Sequence, residues 1–357
     1  MTHAEEINNN FKPIFLKGED EAKSILDKNP SAVYVDAFSR QLKEFFIIEN
    51  PIYAGERKEE GFQSKEFSEF CQLQEKNNIY VYYPWSGSVV KTLLKEAYFK
   101  LKTNRNQELI NSEEQKKLSA CKAAVLGMSV GSNVALVLTQ AGISNSITIA
   151  DFDELDTTNL NRIVAGVHQV GMNKCVIAAR HIYEDNPFAE VTAWQDGANE
   201  ENLKNALKNG SINIIIEEVD NLAVKIKTRE LAREYKVPVI MVTDNGDGVM
   251  LHIERYDLGY DKIFNKPFEY WQNLFQKKPS MEEIGKVIVN DVLGGPANVS
   301  ERVFASVERI MKHELISWAQ LGSAALLGGV VATVALKDIV LGRSTEPYIE
   351  KNIQIKF

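Results

Sequence analysis

The sequence predicts an α/β protein: a doubly wound, mostly parallel sheet, with a smaller α/β unit ahead of it and a mixed segment behind. Three observations carry that expectation. From Lys122 onward, short apolar runs alternate with helical patterns, the rhythm of successive strand–helix–strand units. One run, Ile212–Ile216, is dominated by isoleucine, as befits a strand covered on both faces. A glycine turn, Gly127-Met-Ser-Val-Gly131, stands between the first of these strands and its helix.

Taken in order, Lys12–Leu16 reads as a short strand and Glu19–Lys28 as a polar helix. Ala32–Asp36 alternates as a strand, and Ser39–Ile48 follows as an amphipathic helix. Asn50–Ser64, rich in glycine, proline and charge, reads as a loop. Ile79–Tyr83 is aromatic and β-rich, and a helix is expected from Ser86 to about Lys102. Ser112-Glu-Glu-Gln115 has capping-box spacing and opens a short helix. Then come strand Ala123–Leu126, helix Val130–Ala141 closed by Gly142, strand Ser146–Ala150 and helix Gly171–Tyr183. Strand Glu190–Trp194, helix Asn202–Lys208, strand Ile212–Ile216, helix Asn221–Tyr235 and strand Val237–Val242 complete the alternation. Val249–Arg255 reads as one more strand, antiparallel to the rest. Residues 258–320 are aromatic, charged and loop-rich, with a helix around Glu301–Trp318, and are expected to cover the substrate side of the sheet. Ala324–Val340 is the closing helix, expected to be buried and stopped at Gly342. The expected division is therefore 1–100, a small domain; 101–257, a Rossmann-like domain; and 258–357, the mixed segment.

Composition narrows the function. The 357 residues carry a net charge of −8 with acids and bases interspersed, which argues against a nucleic-acid partner bound by phosphate neutralisation. Three scattered cysteines, Cys71, Cys121 and Cys175, form no Cys-x-x-Cys pair. That pattern excludes a tetrathiolate zinc site and suits a reducing cytoplasm. Met1–Asn10 is polar and acidic, unlike a secretion signal. Leu321–Leu336 is the most apolar stretch, but Gly328 and Gly329 interrupt it and it is short for a membrane span, so no membrane partner is expected.

Five pieces of sequence fall at predicted strand ends. Gly127 and Gly131 allow a tight turn beside Ser129, and a strand–turn–helix of this kind binds phosphate through backbone N–H groups and the helix dipole. Asp151, roughly twenty residues beyond the turn, is placed to accept from ribose hydroxyls, with Asp153 beside it as a second acid or a helix-dipole partner. Asn159-Leu-Asn-Arg162 offers amide donors and a forked cation for phosphate; a lone arginine would equally serve a surface salt bridge. Lys174 opens a helix, where an ammonium can follow charge on a triphosphate. Asp220 follows the isoleucine strand and suits Mg²⁺, which takes one or two carboxylates plus phosphates and water; it can also cap the next helix.

These motifs, above all Asp-Phe-Asp with Asn-Leu-Asn-Arg and Val-Gly-x-x-Lys, resemble the ThiF/MoeB/ubiquitin-activating-enzyme superfamily, over about residues 104–255 and more loosely the final helix. The whole chain is similar to bacterial stand-alone ThiF-type adenylyltransferases. The resemblance implies adenylation of a carboxylate with ATP and Mg²⁺, releasing pyrophosphate. By it, Asp151 holds the ribose, Asn159, Arg162 and Lys174 contact the phosphates, and Asp220 binds the metal. The family also sets an arginine of the neighbouring subunit over the phosphates, and Arg105 stands at the matching place, which implies a homodimer. The implied partner is a ubiquitin-like protein, a peptide C-terminus or a small acid. Three features depart from the family's pattern. The turn is one residue shorter, the zinc cysteines are missing, and no cysteine follows Cys175 to take up a thioester.

Three other readings of the same residues stay open at this level. Gly127-Met-Ser129-Val-Gly131 matches a hydrolase nucleophile elbow, with Asp220 or Asp247 and His252 downstream. Asp151 alone would suit an NAD-dependent oxidoreductase. A ThiF-type fold that binds nucleotide or partner without catalysis fits the shortened turn. Asp244-Asn-Gly-Asp247-Gly lines the substrate pocket or is a plain turn.

Overall fold

A computed structural model describes residues 10–355. The polar stretch before residue 10, read above as no secretion signal, lies outside them. The chain divides into two compact units, one of residues up to 115 together with Tyr183–Phe188, the other of Lys116–Ile182 and the residues from 189 onward.

The first unit holds β1 (Ile14–Leu16), α1 (Glu19–Lys28), β2 (Val33–Asp36), α2 (Ala37–Glu49), α3 (Lys58–Phe62), α4 (Lys65–Gln74), β3 (Asn78–Tyr83), β4 (Ser88–Leu93) and α5 (Lys95–Lys102). Its four strands run in the order β1-β3-β4-β2. Two expectations fail here. Residues 50–64 are not a loop, because two short 3₁₀ turns and α3 run through them. The helix expected from Ser86 starts only at Lys95. Ser88–Leu93 is a strand instead, paired antiparallel with β3 from Tyr83↔Ser88 to Asn78↔Leu93. Its valines satisfy either period, and a ready partner strand decides. The helix α6 (Ser112–Ser119) also begins differently: its capping box is formed by Asn111 and Glu114, one residue before the expected pair.

The second unit is the doubly wound domain. It holds β5 (Lys122–Leu126), α7 (Gly131–Gln140), β6 (Ser146–Ala150), α8 (Lys174–Asp185), β7 (Glu190–Trp194), α9 (Glu200–Lys208), β8 (Ile214–Glu217), α10 (Leu222–Glu234), β9 (Val239–Asn245) and β10 (Gly248–Glu254). The mixed segment adds α11 (Phe268–Gln276), α12 (Met281–Val287), α13 (Glu301–Met311), α14 (Gly322–Val340) and β11 (Tyr348–Gln354). The sheet order is β11-β10-β9-β8-β5-β6-β7, with β9, β8, β5, β6 and β7 parallel and β10 antiparallel to both its neighbours, β9 and β11. Strand β11, which the sequence analysis did not identify, closes one edge. The strand order reverses beside β5, and a crevice for ligand opens there at the carboxyl ends of the strands.

One face of the sheet packs Ala124, Leu126, Ile215 and Val239 against Leu203, Leu231 and Ala232. Helix α14 lies against α7, β9 and β10 on the other. The approach of α14 to α7 is too close for a side chain: a Cβ on Gly329 would stand 2.8 Å from the Asn133 backbone. The expectation that α14 is buried holds for one face only. Leu326, Val330 and Val334 are 45–47% exposed in a stripe on the other. By length and composition alone it could cross a membrane.

Candidate functional site

Strand β5 ends at Leu126, and the chain turns sharply through Gly127, whose φ of +91° lies in the left-handed region. A Cβ there would fall 2.6 Å from the carbonyl oxygen of Glu218, so glycine is required twice over. The turn is fastened to its neighbours. Gly127 N–H donates to the Ala150 carbonyl (2.7 Å), and Met128 N–H donates to Asp151 Oδ2 (2.6 Å). The other carboxylate oxygen of Asp151 accepts from Asp153 N–H (2.8 Å). Burial outweighs these bonds and raises the Asp151 carboxyl above its usual range. Asp151 therefore braces the turn, and two of the turn's amides are occupied.

Above the turn lies a cavity of about 830 Å³, large enough for a nucleotide. Gly127, Ser129, Asp151, Asp153, Asn159, Arg162, Lys174 and Asp220 all line it. Gly131 does not; it is buried at the first turn of α7, where a Cβ would meet Val125 Cγ1 at 2.8 Å. Arg105 belongs to the first unit, in the 3₁₀ turn Asn104–Asn106. The mixed segment contributes wall residues: Ile288, Val292, Val303, Trp318 and Gln320.

Arg162 is held from several sides. Its Nε donates to Ser129 Oγ (3.0 Å), and a terminal nitrogen donates to Asn161 Oδ1 (2.9 Å) and the Thr158 carbonyl (3.3 Å). Buried Asn133 on α7 donates to the Arg162 carbonyl (2.9 Å), and Asn161 Nδ2 donates to the Gln320 carbonyl (3.0 Å). Burial lowers the guanidinium pKa, opposed by the charges of Asp244 and Asp220. Asn159 Oδ1 accepts from Asp156 N–H (3.0 Å), which closes the 3₁₀ turn that carries this segment.

Lys174 is no exposed helix lysine. Its side chain is 8% exposed, and Nζ contacts Asp153 Oδ2 at 2.8 Å. The helix that follows is thus anchored by the ammonium that faces the cavity. Asp220 is exposed on the loop after β8, and the capping of α10 falls to Asn221, whose side chain accepts from Ala223 and Val224. Asp220 is thereby released from the capping task that it could have served.

Glu218 escaped the sequence reading as a site residue, and Asp244 was read only within a segment that lines the substrate pocket or is a plain turn. Glu218 accepts from Val242 N–H (2.9 Å), and burial raises its pKa well above the usual range. Asp244 is on β9, and both its oxygens are shut from solvent with no hydrogen-bond partner. Burial raises it to about 6, partly countered by Arg162. The available signal was an acid ending a buried strand, Val-Ile-Met-Val-Thr-Asp. The Asn-Gly-Asp-Gly after it drew attention to the turn, which Gly246 and Asp247 do form.

A hydrolase triad is not assembled. The partner of Ser129 Oγ is Arg162, and His252 is fully buried on β10 with Tyr348 Oη 3.3 Å from its Nδ1. A serine nucleophile needs a base within hydrogen-bond reach. Below the cavity, buried Arg229 pairs with Glu217 (2.6 Å) and Glu254 (2.5 Å) and lies over Phe264 at 3.9 Å. That network braces the carboxyl end of β8, where Glu217 stands.

The fold and the motifs at its strand ends define the class: the chain belongs to the ThiF family, whose model matches residues 101–355. An uncharacterised protein of Mycobacterium tuberculosis is 36% identical over 186 residues, covering 52% of this chain and 26% of that protein. The sulfur carrier protein ThiS adenylyltransferase of Escherichia coli is 25% identical over 141 residues, covering 39% of this chain and 55% of that one. The chain thus spans about a quarter to a half of these relatives' lengths. Among solved structures, the E. coli tRNA N6-threonylcarbamoyladenosine dehydratase in complex with AMP shares the fold. Its TM-score is 0.51 at 19% identity, over 71% of this chain and 98% of that one.

Proposed function

We propose that the chain is an ATP-dependent adenylyltransferase that activates a carboxylate as an acyl-adenylate and releases pyrophosphate. The observation that carries the reading is that Arg162, Lys174 and Asp220, from three separate segments, line one cavity above the glycine turn at the strand carboxyl ends. Family membership and the adenylyltransferase among the relatives support it. A nicotinamide site would leave this set of charges without a task.

In this reading the chain's own groups do the work by position and charge. A substrate carboxylate attacking the α-phosphate brings negative charge toward negative charge, so the barrier falls chiefly through orientation and neutralisation. Arg162, fixed through Nε and a terminal nitrogen, presents its remaining donors to phosphate oxygens. Lys174 needs only to exchange Asp153 for a phosphate oxygen. Asn159 adds an amide donor, and Asp151 holds the ribose while it braces the turn.

The donor set fits Mg²⁺ bound mostly by phosphate and water. Among the described residues no group of three or more His, Cys, Asp or Glu forms a self-sufficient metal cage, which leaves Asp220 as the protein's carboxylate for a phosphate-borne ion. When bound, the ion would neutralise charge on the phosphates. We infer further that the active form is a cytoplasmic homodimer in which Arg105 comes from the second copy. Its partner is then a ubiquitin-like or other peptide C-terminus or a small acid. With no cysteine after Cys175, the adenylate passes to an external nucleophile.

ATP–pyrophosphate exchange with a panel of carboxylates tests the reading. Exchange should require Mg²⁺ and fall about 100-fold in Arg162→Ala, as loss of one charge-stabilising donor predicts. If the wild type and Arg162→Ala bind ATP equally well, the phosphate role is wrong. A second reading, a nucleotide-binding module without catalysis, draws on the two turn amides already engaged by Ala150 and Asp151. It predicts ATP binding with no exchange for any acid.

A further inference from the structure

The cavity wall carries eight carboxyl groups against three cationic side chains, Arg162, Lys174 and Lys225. Lys225 is already committed to Glu217 at 3.0 Å. A site for a polyanion and a carboxylate is thus itself rich in acid, and three of those acids are occupied by contacts within the chain. Asp151 holds backbone amides, Asp153 holds Lys174 and Glu218 holds Val242 N–H. Asp244 is different: both oxygens are sealed from solvent and accept nothing.

A buried carboxylate without donors is destabilising and persists only where something meets it. Three groups can. A metal ion would need further oxygen ligands, and the exposed Asp220 already serves as the carboxylate for a phosphate-borne ion. Arg162 acts on Asp244 through space, yet its hydrogen bonds go to Ser129, Thr158 and Asn161. That leaves a donor arriving with the ligand. The surroundings describe it. Asp244 follows Val242 on β9, and Asn245 next to it clamps the 298–300 segment by accepting from Ser300 N–H (2.7 Å) and donating to the Asn298 carbonyl. Val303, Val292 and Ile288, from the segments on either side of that clamp, supply apolar wall.

We propose that Asp244, with Glu218 beside it, is a subsite for an aliphatic ammonium group presented on an apolar stem. The inference deepens the adenylation reading and rests on it for the identity of the ligand: the ammonium belongs either to the acid being activated, an amino acid or amine-bearing peptide end, or to the amine that takes up the acyl group. In the second case the ammonium first gives one proton to the Asp244 carboxylate, the freed lone pair forms the C–N bond, AMP leaves with the electrons of the C–O bond, and the nitrogen's second proton passes to solvent.

Calorimetric titration of the full chain with butylammonium, with butanol as the neutral isostere, tests it in the presence of ATP. The wild type should bind butylammonium at least about tenfold more tightly than butanol, the size of one charge-assisted hydrogen bond. Asp244→Asn should lose that preference at saturating ATP, with the ATP concentration set for each protein because Asp244 acts on Arg162, and Asp244→Glu should keep part of it. No saturable butylammonium binding, or equal binding in wild type and Asp244→Asn, overturns the subsite. Exchange supported by ε-aminohexanoate and not by hexanoate puts the ammonium on the activated acid. Equal exchange with both, and AMP release accelerated by butylamine, puts it on the acceptor. If butylammonium binds through Asp244 but no acid supports exchange, the adenylation reading falls and the subsite stands.

Discussion

Replacing Asp244 by asparagine removes a charge that the fold itself works against. Burial lifts this carboxyl from its ordinary 3.8 to about 6, so ionising it in the native state costs roughly 3 kcal/mol more than in the unfolded chain. The sign follows from proton binding. Between about pH 4 and pH 6 the folded protein holds the proton that the unfolded chain has released, so stability falls as pH rises through that window. Above it the full penalty is present; below it the penalty is gone. An asparagine is neutral throughout, but its buried amide leaves polar atoms unmet at about 1–2 kcal/mol. The net expected at neutral pH is a gain of about 1–2 kcal/mol, or roughly 2–8 °C in Tm for a unit of this size. The pH dependence is the cleaner measure. The stability difference between variant and wild type should widen by about 2 kcal/mol from about pH 4.5 to about pH 7.5. Glu218 reinforces the trend, since losing the neighbouring charge also relieves it. Thermal unfolding of the nucleotide-free full chain across that range is the assay. A difference that stays flat with pH, or a variant less stable than wild type at neutral pH, refutes the claim that Asp244 is a buried unpaired acid.

Other outcomes follow from the same geometry. Gly127→Ala forces a Cβ into the Glu218 carbonyl at a positive φ, and should destabilise the second unit by about 2–4 kcal/mol in urea unfolding; a loss under 1 kcal/mol would mean that the turn is loose. Arg229→Met strands Glu254 as a buried charge and leaves Glu217 to Lys225 alone, so a loss of about 3–5 kcal/mol is expected in chemical denaturation, and a neutral result would show the pair to be dispensable. Asp220→Asn should raise the Mg²⁺ concentration needed for half-maximal exchange by about tenfold or more while ATP affinity without metal is kept. An unaltered Mg²⁺ requirement would remove Asp220 from the metal's coordination.

The domain that carries the site was legible because a parallel strand covered on both faces is an unbroken apolar run. Ala123–Leu126 and Ile212–Ile216 fell within two residues of β5 and β8 for that reason, while Ser146–Ala150 and Glu190–Trp194, which alternate, were located to the residue. The polar residues after such runs necessarily fall at the carboxyl edge, so Asp151, Arg162, Lys174 and Asp220 could be grouped before any coordinates. Elements defined by pairing were not legible. Ser88–Leu93 has apolar residues at spacings that suit a helix as well as a strand, and Tyr348–Gln354 alternates too weakly to declare itself until β10 lies beside it.

What the sequence determined alone, then, is the order of strands and helices and the chemistry at their ends, because both depend on local period and residue type. The tertiary structure decided which of those groups are already occupied and which are not. Asp151 turned out to brace the turn, Lys174 to be sheathed against Asp153, and Asp244 to stand buried without a donor. It also left Leu326, Val330 and Val334 bare on a helix whose composition suggested complete burial. Burial and hydrogen-bond satisfaction are properties of what comes to lie beside a side chain, and neighbours distant in the chain are fixed only when the sheet and its helices close on one another.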